Sequence, residues 1–154
     1  MNTIKNTTKI SLIKINLYLC LICISVFMMY SGINKIVNIY QFINTLDYYK
    51  HIPSSLHFII GYSIPIIEIL IGLLIWFKNL RNIIVLFYIL IIVLFIIILV
   101  IHYGSYMPEG CGCFGAGRGE TINYILIGRD FLLTIPGILF ILFRNIHLQN
   151  KIIN

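Results

Sequence analysis

The sequence predicts an all-α protein, an integral membrane four-helix bundle that carries a Cys-Gly-Cys loop between its third and fourth helices. Composition is the first observation behind this. Of 154 residues, 60% are hydrophobic and 10% charged, and the mean hydropathy is +0.99. A soluble domain carries ~25% charged residues. The second is the distribution of those apolar residues: they fall into four runs at 12–33, 56–77, 83–103 and 122–143. Each is close to the ~20 residues that cross a bilayer as a helix. The third is that polar and glycine-rich segments separate the runs, so each can be a helix in its own right. One domain over 1–154 is expected, with no internal repeat.

The first run follows a polar stretch with Lys5 and Lys9, and Lys14 can snorkel at its end. Its length exceeds the ~7–15-residue core of a signal peptide, and no small-residue cleavage site follows. The connection over 34–55 is more polar. Its part from Ile39 to Tyr49 mixes polar and aromatic residues, as a short interfacial helix does. The tyrosines Tyr40, Tyr48 and Tyr49 suit the depth of the headgroups. The second run ends at Trp76 and Lys78, and Lys78-Asn79-Leu80-Arg81 turns the chain into the third. That third run is nearly pure Ile, Leu, Val and Phe, so much of its surface should face lipid. A glycine-rich loop over 104–120 leads to the fourth.

The basic residues cluster at the ends of the runs, which is a topology signal and not a nucleic-acid patch, despite a net charge of +6. One side holds Lys5, Lys9, Lys14, Lys78, Arg81, Arg144 and Lys151; the other holds Lys35, Lys50 and Arg118. The positive-inside rule then places both termini in the cytoplasm and the loop with Cys111 and Cys113 outside. Dithiols serve oxidative chemistry on that side.

Cys111 and Cys113 are the candidate catalytic residues. Cysteines at i and i+2 can approach within the ~4.4–6.8 Å between Cα atoms that a disulfide accepts, in a tight and easily reduced ring. Gly112 between them tolerates backbone angles that a side chain forbids, and Gly110 and Gly115 extend that freedom. A flexible, exposed dithiol suits exchange with another protein better than permanent stapling. Two other readings compete: a loop with unreactive thiols, and a metal site. Zinc sites take four Cys or His ligands, and only His102 and Glu109 lie near the pair, so no metal is expected. Thiolate is the reactive form, and neighbouring cations favour it; Arg118 can do so from within the loop, while Glu109 acts in the opposite direction. His102 is a candidate proton acceptor or an interfacial residue, and His51, His57 and His147 show no ligand spacing. Cys20 and Cys23, at i and i+3 of the first helix, read as small hydrophobes; the sharper alternative is a second dithiol passing electrons to a quinone.

Charge within the apolar runs is the remaining signal. Glu68 at mid-helix costs at least ~2.5–3.5 kcal/mol on insertion scales, so it should face the bundle and have a partner. Gly61, Pro65, Glu68 and Gly72 share one face, where small residues admit a close neighbour. Arg129 lies within reach of Glu68. Lys35 can pair with Asp130 or Glu68. Asp130, Thr134 and Gly137 share a face of the fourth helix. These supporting positions act either as structural ion pairs or as a polar pocket beneath the loop that tunes the thiols.

Together, Gly32-Ile-Asn-Lys35, Pro65-Ile-Ile-Glu68 with Gly72, and Cys111-Gly-Cys113-Phe-Gly115 resemble the MauE branch of the DoxX-like membrane proteins over roughly residues 15–143. Where the family pattern often has Arg-Asn in the last helix, this chain has Arg129-Asp130. The resemblance implies a redox-associated protein of the bacterial inner membrane, linked in its namesake to methylamine utilisation. There it assists disulfide formation in a dehydrogenase subunit beside a thioredoxin-like partner. It marks Cys111 and Cys113 as the working pair, and Lys35, Glu68 and Arg129 as motif positions. Two other functions stay open at this point: a non-catalytic membrane subunit or anchor, and a quinone-linked oxidoreductase subunit of the kind suggested for other DoxX relatives.

Overall fold

The structure, a computed structural model, describes residues 2–49, 53–113 and 119–153, with side chains described over 12–49, 53–113 and 119–146. Lys50, His51, Phe114, Gly115 and Arg118 lie outside the described residues, as do the side chains of Lys5, Lys9, His147 and Lys151. The elements are α1 (Asn2–Val37), α2 (Ile39–Asp47), α3 (Ser54–Leu74), α4 (Arg81–Ile101), β1 (Tyr106–Met107), β2 (Glu120–Thr121) and α5 (Tyr124–Ile153).

Four of the helices, α1, α3, α4 and α5, are long and apolar enough to cross a membrane, and the protein is an integral membrane protein. Helices satisfy every backbone group internally, which is what a lipid surround demands. The first and last helices run well past the apolar runs, because hydrogen bonding continues where hydropathy stops. The last one starts where Asn123 caps it: its Oδ1 accepts from the amides of Ile125 and Leu126 at 3.0 and 3.2 Å. The short helix expected over 39–49 is present as α2, burying Phe42, Ile43, Thr45 and Leu46. As its composition suggests, α4 is the most apolar span, with a mean hydropathy of 3.8, and the least buried.

The all-α expectation needs one addition. Within the cysteine-bearing segment, β1 and β2 pair antiparallel, with Tyr106 opposite Thr121 and Met107 opposite Glu120. This clasp closes the loop at its base.

Close approach of α1 and α3 explains the glycines. A Cβ on Gly72 would stand 2.7 Å from Met29 and 3.1 Å from the Ser25 carbonyl oxygen. One on Gly32 would stand 2.9 Å from the Pro65 carbonyl oxygen. The expected face of Gly61, Pro65, Glu68 and Gly72 is buried throughout. Ser25 donates to the Gly72 carbonyl at 2.7 Å and accepts from the indole N–H of Trp76 at 3.2 Å. Trp76, where the second apolar run ends, therefore ties α1 to the end of α3.

Two apolar clusters fill the interior. The one remote from the loop holds Leu21, Ile24, Met28, Ile71, Tyr88 and Phe140. The one at the loop end holds Leu46, Tyr49, Leu99, Met107, Cys111 and Cys113. Chain order places a polar layer between them: Ser31 and Lys35 follow Met28 on α1, and Glu68 precedes Ile71 on α3. Lys35 and Glu68 form an ion pair at 0% and 2% side-chain exposure. Breaking such a pair from one side strands a charge, at a cost of ~3–5 kcal/mol. Glu68→Leu is therefore expected to lower resistance to unfolding in detergent by about that amount. The double variant Lys35→Met/Glu68→Leu should recover most of the loss. Equal losses in the single and double variants would show that the pair does not hold the helices.

Candidate functional site

The Cys-Gly-Cys segment does not lie on top of the bundle. It is inserted into its end. Glu68 sits about 21 Å along α3 from Ser54, at 1.5 Å per residue. The loop reaches down to that level: the Ser31 hydroxyl lies 2.9 Å from the Cys113 carbonyl oxygen and 3.2 Å from Glu68 Oε2. Lys35 Nζ donates to Ser31 Oγ at 3.1 Å and to Glu68 Oε1. The ammonium also faces the rings of Phe95 at 4.8 Å and Phe42 at 5.4 Å. One polar layer thus joins α1, α2, α3, α4 and the backbone of Cys113.

Cys111 is held from other directions. The Tyr49 hydroxyl donates to its carbonyl oxygen at 2.7 Å, and its own amide donates to Glu120 Oε1 at 3.3 Å. Glycine is required between the cysteines for two reasons. Gly112 has φ +72°, and a Cβ there would press on Phe42 and Thr45 at 3.2 and 3.3 Å. Gly110 has φ +83°. The backbone freedom expected of both positions is used.

Exposure is where the sequence reading is corrected. Cys111 is 5% and Cys113 6% exposed, so the dithiol is buried. Loops usually stay on the surface because their backbone polar groups need water. Here the buried hydroxyls of Ser31 and Tyr49 replace water at both cysteine carbonyls. All four cysteines are free thiols.

The two sulfurs differ. Arg129 Nη2 lies 3.6 Å from Cys111 Sγ, and its Nε donates to Asp130 Oδ1 at 3.0 Å. The Cys113 thiol points to the Cys111 carbonyl oxygen at 3.8 Å. Hydrogen bonding from Cys113 and then the Arg129 guanidinium hold the Cys111 thiol below the usual range, against the opposing effect of burial. Cys113 is pushed well up, by its hydrogen bond to Cys111 and by burial. Their surroundings favour ionisation at Cys111 over Cys113.

The other expected residues fall as follows. Glu68 takes Lys35 and Ser31, and Arg129 turns to Asp130 and the Cys111 sulfur, so the two acids divide the two bases. Asp130, Thr134 and Gly137 are all buried, as their shared face predicted. His102 Nδ1 lies 3.0 Å from the Ile98 carbonyl oxygen, which can only accept, so that nitrogen carries the proton. Its ring meets Tyr49 edge-on at 4.9 Å. His57 pairs with Asp47 at 2.6 Å, tying α2 to α3. Cys20 belongs to the apolar cluster remote from the loop. Cys23 lies on an exposed flank of α1, eight residues or about 12 Å below Ser31. Among the described residues, no group of three or more His, Cys, Asp and Glu is placed to hold a metal ion.

Three contributors were missed. Ser31 carries a signal, since it lies four residues before Lys35 and so on the same helical face. Tyr49 read as interfacial, and nothing in its neighbours separates a belt tyrosine from a loop anchor. Glu120 becomes a partner only because the β1–β2 clasp carries it back to Cys111.

The family model for methylamine utilisation protein MauE matches residues 13–143. The chain belongs to the MauE family. The match runs from α1 to the apolar part of α5 and takes in the cysteine pair, Lys35, Glu68 and Arg129. No curated protein and no solved structure matches. For this MauE chain the site geometry above is therefore the main guide to chemistry.

Two outcomes are expected. The thiolate fraction of Cys111 grows as pH rises through its pKa, so a lowered pKa moves its reactivity to lower pH. Alkylation followed by peptide mapping should modify Cys111 before Cys113, with a midpoint below the ~8.5 of an ordinary thiol. Arg129→Gln should move that midpoint up, and an unmoved midpoint would remove the guanidinium from the account. Tyr49→Phe deletes one hydrogen bond worth ~0.5–1.5 kcal/mol. It should speed alkylation of Cys111 by up to about tenfold, whereas an unchanged rate would mean the loop is held elsewhere.

Proposed function

We propose that this protein is a thiol–disulfide exchange component of the membrane, with Cys111 as the attacking sulfur and Cys113 as the resolving one. The observation that carries this reading is the Arg129 guanidinium 3.6 Å from Cys111 Sγ, with Cys113 Sγ directed instead at the Cys111 carbonyl oxygen. An unreactive structural pair has no need of a cation placed on one of its sulfurs.

The exchange runs in two displacements. The Cys111 thiolate attacks one sulfur of a partner disulfide; a mixed disulfide forms, and the partner's other sulfur leaves as a thiolate. Cys113 then loses its proton and attacks the Cys111 sulfur. The Cys111–Cys113 disulfide forms, and the partner departs with both sulfurs reduced. Two electrons have moved to the partner, whose two sulfurs take up the Cys113 proton and one from the medium. In reverse, the same steps pass a disulfide to a partner's thiols, the direction that disulfide formation in a dehydrogenase subunit requires.

A thioredoxin-like protein outside the cytoplasm is the partner this reading calls for. The basic residues support an orientation in a bacterial inner membrane with both termini in the cytoplasm and the cysteine loop outside. The family description points to methylamine utilisation as one setting for such chemistry. Burial of the pair supports a gated exchange: Cys111 meets a protein partner only when the Tyr49 and Glu120 hydrogen bonds release it.

Cys113→Ala should accumulate a mixed disulfide with a partner in cells, because the resolving sulfur is gone. Cys111→Ala should accumulate far less. The check is a non-reducing gel followed by identification of the captured chain. If neither variant captures a thiol-bearing protein, exchange is not the function.

A further inference from the structure

Cys111 is covered from the loop side, yet it lines a cavity that opens elsewhere. That cavity, of about 370 Å³, lies between α2, α3, α4 and the loop, with Phe42, Tyr49, Ile64, Phe95 and Ile98 in its walls and Cys111 and Gly112 at its head. A second cavity of about 180 Å³ continues along the α3–α4 seam and shares Ile64, Phe95 and Ile98 with the first. The seam is open because α3 packs chiefly on α1, and α4 on α5. Ile59, Ile67 and Leu94 border these cavities and are exposed on the outer face of apolar helices, so the mouth faces lipid.

Size and chemistry narrow the occupant. The first cavity falls within the ~300–1,000 Å³ of small-molecule sites. Its walls are apolar and include three aromatic side chains, which suit a flat ring. The cavity beyond is smaller and lined by five aliphatic side chains and Phe95, which suits an apolar chain. A reduced dithiol at the head has two electrons to give, and the exchange proposed above needs something to restore or drain them. With the pair at 5% and 6% exposure, a water-soluble oxidant at ordinary concentration depends on the loop opening, whereas a compound dissolved in the bilayer meets the cavity directly.

We propose that the α3–α4 seam binds a lipid-soluble quinone, its ring against Cys111 between Phe42 and Phe95 and its tail along Ile64 and Ile98. This rests on the exchange reading and extends it by naming the redox partner on the membrane side. The step balances: the Cys111–Cys113 bond forms, and two electrons pass to the ring. Its two carbonyl oxygens become hydroxyls, taking the Cys113 proton and one from the medium in place of the proton Cys111 has already shed. Quinol leaves by the seam, and the disulfide remains for a partner protein.

The test uses the full chain, reduced, in phospholipid nanodiscs, with ubiquinone-1 and menaquinone-4 as probes. Formation of the Cys111–Cys113 disulfide is followed by loss of maleimide-reactive thiol, and quinol by absorbance. Wild type should be oxidised at a rate that saturates with quinone, with one quinol formed per disulfide. Ile64→Trp fills the seam where the two cavities meet and should slow this at least about tenfold. Oxidation by diamide, a small water-soluble reagent given in excess, should be unaltered in that variant and shows that the pair is intact. Ile67→Trp, which narrows only the outer cavity, should hinder long-tailed menaquinone-4 more than ubiquinone-1. The proposal is overturned if quinone oxidises Ile64→Trp as fast as wild type. It is equally overturned if wild type reacts with diamide but not with quinone, the seam then holding phospholipid chains only. The exchange reading survives that second result as long as Cys113→Ala still captures a partner. It fails on its own terms if diamide forms no Cys111–Cys113 disulfide.

Discussion

The arrangement depends on two charges that cannot be left alone. Lys35 and Glu68 are both fully buried within a bundle whose outer surface is hydrocarbon. Removing an ammonium and a carboxylate from water costs several kcal/mol each, offset only if they meet with good geometry and with further hydrogen bonds. Ser31 accepts from Lys35 and shares its one proton between Glu68 and the Cys113 carbonyl oxygen, and the rings of Phe42 and Phe95 face the remaining side of the ammonium. Because the partners come from α1, α2, α3 and α4, satisfying this one pair sets the register of four helices against one another. Lipid offers no hydrophobic drive to bring helices together, so close backbone approach at small residues and polar contacts must do it. Gly32, Gly72 and the Ser25–Gly72 hydrogen bond are the small-residue part, and the ion pair is the polar part.

The same layer decides the state of the loop. A glycine-rich segment with free backbone groups belongs in water, unless the protein supplies replacements. Ser31 meets the carbonyl of Cys113 and Tyr49 that of Cys111, so the segment can sit within the bundle end. Burial would ordinarily leave both thiols protonated and inert. The hydrogen bond from Cys113 and then the Arg129 guanidinium break that symmetry by favouring the ionised form of Cys111. Asp130 beside it keeps the arginine from being an isolated charge at that depth. Lys35–Glu68 lies where the loop docks, and Arg129, paired with Asp130, stands against one of its sulfurs.

Access follows from packing as well. Since α3 leans on α1 and α4 on α5, the seam between α3 and α4 stays loosely filled. The head of that seam is Cys111, not Cys113. Cys111 therefore stands between a cavity that opens toward lipid and the Tyr49 and Glu120 hydrogen bonds that hold the loop.

The sequence by itself determined the class of the protein: four spans, a short amphipathic helix after the first, and a cysteine pair between the third and fourth. Hydropathy over ~20 residues and a two-glycine turn around Cys-x-Cys are local signals, and local signals survive without a fold. It also determined that Glu68 needed a partner, because an uncompensated charge at mid-helix is too costly at any packing. Which base it takes was decided only in three dimensions, since Lys35 and Arg129 were both within plausible reach along the chain. So was the burial of the dithiol, which depends on hydroxyls contributed from residues 31 and 49, more than sixty positions upstream of the cysteines they anchor. So too was the distinction between the sulfurs: Cys111 and Cys113 share the same glycine-rich neighbours, and the fold separates them by the hydrogen bond that Cys113 turns back on Cys111 and by the helix that carries Arg129 to the Cys111 sulfur.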